Sequence, residues 1–241
     1  MIKLYQFPIS HFCEKVRWAL EYKGVPYEQV NLMPGRHISV IKGLAPKSCV
    51  PVLVDDDKVI QDSAAILTYL DEKYPERSLT PVNPAEKAAA LEWERYLNGE
   101  FGIHVRRFCY HWILQSPGTA VPLLAHKGPW YAGIVLRLAF GKLSKIMRKS
   151  MNISQETAEE SRQHILAALE RVNHQLEKQP FLVGSSFSRA DLTAAALLAP
   201  LCMPAKYPIS LNRSVPTEIA ELNNRIQPQV QWLYRWYDSY R

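Results

Sequence analysis

The chain has 241 residues, 47% hydrophobic and 22% charged, with a formal net charge of +6. That length holds one large or two smaller domains in an ordinary soluble composition. Four scattered cysteines (Cys13, Cys49, Cys109, Cys202) exclude a disulfide framework, and Met1-Ile2-Lys3-Leu4-Tyr5 lacks the pattern of a signal peptide, so a reducing, cytoplasmic setting is expected.

Residues 2–6 alternate Ile2, Leu4 and Gln6 and read as a strand, which Pro8 and Ser10 end. From 11 to 23, Cys13, Val16 and Leu20 fall on one face of a helix, stopped by Gly24, and Tyr27 to Leu32 reads as a second strand. This βαβ unit predicts a parallel pair with a helical crossover. A loop with Pro34, Gly35 and Pro46 follows. Val50 to Val54 reads as a strand with proline at its start, and Asp55-Asp56-Asp57 turns the chain to Lys58-Val59-Ile60-Gln61. Asp62-Ser63 then caps a helix that ends near Tyr74-Pro75.

Pro81 and Pro84 mark a linker, and the texture changes. Residues 85–115 read as one long helix and 155–178 as another. Ser188-Arg189-Ala190-Asp191 fits a capping motif ahead of an apolar run to Leu201, and an aromatic helix spans about 229–240. Two domains are expected: α/β over 1–78 and all-α over 84–241. The first is electrically neutral, with ten basic and ten acidic side chains. By contrast, the window 101–150 holds eight Lys and Arg with no Asp or Glu, interleaved with Trp130, Ile134, Leu138 and Phe140. A solvated basic helix face explains it, and contact with an anionic membrane surface is the alternative. No nucleic-acid motif accompanies it, so no nucleic-acid partner is expected.

Several residues carry possible chemistry. A hydroxyl at Ser10, where a strand meets a helix, can donate to a bound thiolate while the helix N-terminus adds partial positive charge. Lowering a thiol pKa by two units requires about 2.7 kcal/mol. One charge-assisted hydrogen bond of about 1.5–3 kcal/mol plus a helix end of about 0.3–1 kcal/mol suffices. The same serine is equally an ordinary N-cap. Cys13 completes a one-cysteine version of the Cys-x-x-Cys redox motif, yet it shares a face with Val16 and Leu20, the pattern of a buried, inert thiol. Tyr5 offers its phenol to a thiolate, or else serves as a packing or pocket-wall residue. Val50-Pro51 suits an exposed backbone pair that binds an extended peptide as an added strand. Asp62 and Ser63 at a helix start offer backbone N–H groups and a hydroxyl to a carboxylate, and the Asp62 carboxylate to an ammonium; ordinary capping explains the pair equally well. His37 is either a carboxylate contact or an exposed loop histidine. His104, Arg107 and His111 share a helix face that could border a second-substrate pocket. No metal is expected there, because the set lacks an i, i+4 His pair and a carboxylate.

These segments together resemble the soluble glutathione S-transferases across nearly the whole chain. Leu4-Tyr5 through Ser10-His11-Phe12-Cys13-Glu14-Lys15-Val16 looks like the serine-type entrance of theta-like classes. Val50-Pro51-Val52-Leu53 resembles the family's cis-proline segment, and Asp62-Ser63-Ala64-Ala65-Ile66 its acidic-Ser-x-Ala-Ile motif. Phe181-Leu182-Val183-Gly184 with Ser188 and Asp191 is similar to its helix-capping module. The resemblance implies a thioredoxin-like N-terminal domain, an all-α helical-bundle C-terminal domain and a homodimer. It further implies a cytoplasmic enzyme that joins glutathione, as co-substrate, to a hydrophobic electrophile. Ser10 becomes the thiolate-stabilising hydroxyl, Val50 the backbone partner of the cysteinyl unit, Asp62 and Ser63 the γ-glutamyl binders, and His37 a neighbour of the glycyl carboxylate. Two features depart from the pattern: Ser48-Cys49 stands where members often carry Gly or a basic residue, and 117–150 reads as a basic, apolar insertion.

Overall fold

The structure is a computed structural model that describes residues 1–209 and 215–241. β1 (Ile2–Gln6), α1 (His11–Tyr22) and β2 (Tyr27–Asn31) form the expected βαβ unit, with β1 and β2 parallel. β3 (Val52–Asp55) runs antiparallel to β1, and β4 (Lys58–Gln61) antiparallel to β3, giving the strand order β2-β1-β3-β4. Alternation sends Ile2, Leu4 and Leu53 to one face, in the same core as Val16 and Leu20 of α1 and Ile66 and Leu70 of α3 (Ser63–Lys73). The other face is smaller. Val52 packs there with Leu32 and Ala45 beneath a short α2 (His37–Lys42), through Ile41.

Sequence patterning misses α2, reading it as loop. Six residues between Pro34-Gly35 and Gly43 complete fewer than two turns and bury Ile41 alone, so no helical period shows. The long helix expected over 85–115 is α4 (Pro84–Leu97) and α5 (His104–Ile113), joined through a wide π turn at Asn98–Ile103. Gly102 lies in that turn because Phe12 of α1 presses on it: a Cβ there would stand 2.4 Å from the Phe12 ring. The basic stretch folds as α6 (Pro117–Leu124), α7 (Ala132–Leu138) and α8 (Phe140–Ser150). α9 (Gln155–Leu176), α10 (Arg189–Cys202), α11 (Thr217–Ile226) and α12 (Gln231–Tyr240) complete the helical part; α11 is absent from the sequence reading although Ile219, Leu222 and Ile226 share one helical face. No helix among the described residues is long and apolar enough to cross a membrane.

α10 is buried along almost its whole length. Its capping box forms as expected: the Asp191 carboxylate accepts from Leu182 N (2.7 Å), Ser188 N (2.9 Å) and Ser188 Oγ (2.7 Å). Burial pushes the Asp191 carboxyl up to about 6.

Buried charge joins the sheet part to the helical part. Lys15 of α1 and Arg189 of α10 both pair with Glu94 of α4, at 2.5 and 2.7 Å, and all three side chains are nearly inaccessible. Arg189 also donates to Thr68 Oγ1 and Ala64 O of α3, at 3.1 and 3.0 Å. Removing one member of such a cluster strands the others without a counter-charge. Glu94→Gln is therefore expected to lower unfolding stability by about 3–5 kcal/mol, read from the urea midpoint at constant m; a loss below about 1 kcal/mol would show the triad is not what couples the two parts.

Candidate functional site

Sheet register brings the notable segments together. Tyr5 of β1 lies opposite Val52 of β3, and Val52 lies opposite Gln61 of β4. The turn after β1, the approach to β3 and the exit from β4 therefore meet at one end of the sheet. Ser10, Val50-Pro51 and Asp62-Ser63 occupy those three places. Parallel pairing of Gln6 with Asn31 brings the end of β2, and beyond it His37, to the same end.

Ser10 is the N-cap of α1. Its Oγ accepts from Cys13 N at 3.3 Å, so its own proton remains available to an anion at the helix end. The turn is held from behind by Arg17, paired with Glu14 at 2.8 Å, which donates to Pro8 O at 3.1 Å and to Gln6 Oε1. Cys13 is fully buried, and burial pushes its thiol up.

The Val50–Pro51 bond is cis, and the ladder of β3 begins two residues later at Val52, so the Val50 main chain pairs with no neighbouring strand. Gln61 fixes the segment leading to it. Its Nε2 donates to Lys47 O (2.6 Å) and Cys49 O (2.9 Å), and its Oε1 accepts from Lys47 N (3.2 Å). Sequence reasoning misses this positioning role, for which the one available signal is Gln61's place directly before Asp62.

Asp62 caps α3, its Oδ1 accepting from Ala64 N (2.9 Å) and Ala65 N (3.2 Å), while Ser63 is buried at the first helical position. His37 heads α2 and is half-buried. Its Nδ1 accepts from Gly35 N (3.1 Å), its ring meets Phe7 edge-on at 4.8 Å, and burial lowers its pKa.

The proposed second-substrate residues go elsewhere. Tyr5 packs on the α2 face of the sheet, because alternation puts it opposite Leu4. His104, Arg107 and His111 do share a face of α5, but that face turns to α9 and the end of α8. His104 Nδ1 meets Ser161 Oγ (3.1 Å), Arg107 Nε donates to Met151 O (3.3 Å), and His111 Nε2 meets Gln155 Oε1 (2.9 Å). His104 stacks on His164 at 4.0 Å near Glu100. Glu100 supplies the carboxylate that the sequence set lacks, while the planes, parallel to within 4°, keep the two ring lone pairs from pointing at one centre.

A cavity lined by Ile9 and His11, the chain neighbours of Ser10, is walled by Arg106 and Tyr110 of α5, and by Leu123 of α6 and Met203. It is narrow, about 40 Å³, and adjoins one of about 320 Å³ along α10 and α11, with Tyr207 and Ile219 lining both. Tyr131, just before α7, accepts from Arg36 Nη1 at 2.9 Å, which ties the basic segment to the loop before His37.

Two family models match the chain: one described as "Glutathione S-transferase, N-terminal domain" over residues 4–78, and one as "Glutathione S-transferase, C-terminal domain" over 135–226. Glutathione S-transferase Z1 of Arabidopsis thaliana is 49% identical over 83 residues; the match spans 33% of this chain and 38% of that protein. Protein LigF of Sphingobium sp. is 27% identical over 217 residues, 86% of this chain and 81% of LigF. The crystal structure of the beta-etherase LigF superposes with a TM-score of 0.65 at 23% identity, covering 97% of this chain and 98% of that one. A Methylobacillus flagellatus glutathione S-transferase with GSH bound gives 0.63 at 20% identity, covering 98% and 93%. At these identities the two structures speak for the fold.

His11 supplies a test of the geometry. Its Nε2 lies 2.8 Å from Gly102 O, and burial, aided by the Arg106 charge, pushes its pKa down to about 3. The unfolded chain, with an ordinary value of 6.5, then binds the proton more tightly. Stability is present above about pH 6.5 and lost as pH falls toward 3, with about 2 kcal/mol gone by pH 5. Asp191 works oppositely between its ordinary value of 3.8 and about 6. The signal is accordingly the difference between wild type and His11→Gln, which should narrow by that amount between pH 7.5 and 5 in denaturant titrations.

Proposed function

We propose, on the premise that the chain belongs to the glutathione S-transferase family, that it joins the glutathione thiolate to an electrophilic carbon. The observation that carries this reading is the convergence of Ser10, Val50 and Asp62-Ser63 at one sheet end, next to a largely apolar cavity. Ser10 donates its hydroxyl proton to the sulfur anion, and the α1 N-terminus adds its partial charge. Val50 pairs through its main chain with the cysteinyl unit. Asp62 receives the γ-glutamyl ammonium and Ser63 its carboxylate, while His37 lies toward the glycyl end. Residues 1–78 serve as the glutathione-binding unit and 84–241 as the acceptor-substrate unit, in a cytoplasmic homodimer.

In the reaction the glutathione thiol releases its proton to solvent. The sulfur lone pair forms the new S–C bond, and the leaving group departs with the electrons of the bond it breaks. Stabilising the anion by about two pKa units corresponds to about 2.7 kcal/mol. Because the relative LigF is described as a beta-etherase, an ether carbon is one electrophile worth assaying.

Ser10→Ala is expected to raise the pKa of bound glutathione by one to two units, followed by thiolate absorbance, and to lower kcat/KM about 10- to 100-fold at pH 7. Unchanged values on both counts point to a glutathione-fold binding module instead. Loss of the N-cap alone lowers stability by about 1 kcal/mol and leaves the thiol pKa where it was.

We also propose a peripheral membrane contact through 117–150. Trp130, Ile134 and Leu138 are 89%, 60% and 84% exposed, and Ile146 of α8 is exposed among Lys142, Lys145 and Lys149. The protein should float with phosphatidylglycerol vesicles but not phosphatidylcholine ones. Leu138→Glu with Ile134→Glu should abolish flotation; retention by the double variant would remove the proposal.

A further inference from the structure

Arg106, half-buried, differs from the arginines buried around it in lacking a carboxylate partner. Arg17, Arg189 and Arg241 each meet a glutamate, at 2.8, 2.7 and 2.9 Å. Arg106 Nε is buried without a hydrogen-bond partner, and no carboxylate among the described residues lies within ion-pair distance of its guanidinium. Burial, first among the causes, lowers its pKa, but an arginine stays charged near neutral pH.

The groups around it supply no negative charge. His11 of α1 is held neutral, and burial pushes the Tyr110 phenol up to about 12. Arg107 adds a like charge, Cys49 lies on the sheet side, and positions 101–150 contain no Asp or Glu. The rest of the wall is apolar: Ile9, Ile113, Leu123, Met203. A half-buried cation placed in such a wall, on the cavity that the Ser10 neighbours Ile9 and His11 also line, incurs a partial desolvation penalty that no negative charge in the chain offsets.

We infer that Arg106 receives an anionic group of the second substrate, so that the acceptor is an electrophile with an apolar body and a carboxylate. The apolar body lies along Ile9, Ile113 and Leu123, and the carboxylate takes the guanidinium donors left free. This rests on the transferase reading and adds the substrate's charge to it. The glutathione sulfur is the weaker claimant, since Ser10 and the α1 N-terminus already serve it.

The test uses a chloronitrobenzene and the same ring bearing a carboxylate, with wild type, Arg106→Gln and Arg106→Lys. The ratio of KM for the carboxylate to KM for the neutral ring should rise about 10- to 100-fold in Arg106→Gln and return most of the way in Arg106→Lys. The pKa of bound glutathione should not move. An unchanged ratio overturns the inference, as does a parallel loss on both rings with a raised thiol pKa, which assigns Arg106 to the sulfur. Should wild type turn over neither ring, the transferase reading fails first. Calorimetry with unreactive nitrobenzoate then decides separately: binding by wild type that weakens at least tenfold in Arg106→Gln supports the anion site, and equal binding removes it.

Discussion

Strand register makes one site out of three segments far apart in sequence. Tyr5 opposite Val52 and Val52 opposite Gln61 put the turn after β1, the approach to β3 and the cap of α3 side by side. A one-residue slip would turn Leu4 and Leu53 out of the main core and Tyr5 into it. The burial of Ile2, Leu4 and Leu53 that holds the fold is thus the same constraint that holds Ser10 near Val50 and Asp62. Folding energy and ligand geometry share one set of contacts here.

The helical part depends on α1 as well. Lys15 carries it to Glu94 and Arg189, His11 to Gly102 O, and Phe12 to the space that Gly102 leaves open. All three residues lie within the first two turns of the helix whose N-cap is Ser10. Arg106 and Tyr110, one and two turns beyond Gly102, are therefore placed relative to the start of α1 through a mostly buried path. The π turn widens the helix at the point where α1 presses on it, which a straight helix carrying a larger residue would not accommodate.

Local chemistry was legible in the sequence, and relations between elements were less so. The βαβ-ββα order, the caps at Ser10, Asp62 and Ser188, and the Asp191 box follow from periods and capping residues that act within a few positions. The six-residue α2 and the π turn lack enough period to declare themselves, whereas α11 carries Ile219, Leu222 and Ile226 at i, i+3 and i+7 and was readable. The helical wheel rightly grouped His104, Arg107 and His111, but a wheel does not say which neighbour a face meets. Arg106 and Tyr110, spaced i and i+4 ahead of Ile113, were equally readable as a mixed face and were passed over. Tyr5 was decidable, because strict alternation with Leu4 in the core sends it to the opposite face.

For Ser10, the cap reading and the catalytic reading describe one arrangement. A serine at an N-cap uses a lone pair to accept an N–H of the first turn, here from Cys13 at 3.3 Å. That contact orients the hydroxyl, and its proton is then directed away from the helix toward whatever lies at the N-terminus. Cys13, within the helix and fully buried, has its thiol pushed up, because desolvation outweighs the Arg17 charge and the Ser10 contact. A sulfur outside the first turn, open to solvent, receives the hydroxyl and the helix end without that desolvation. Burial, not proximity to the helix end, therefore decides that Cys13 stays a thiol, whereas a sulfur placed outside the first turn would meet the same helix end without that penalty.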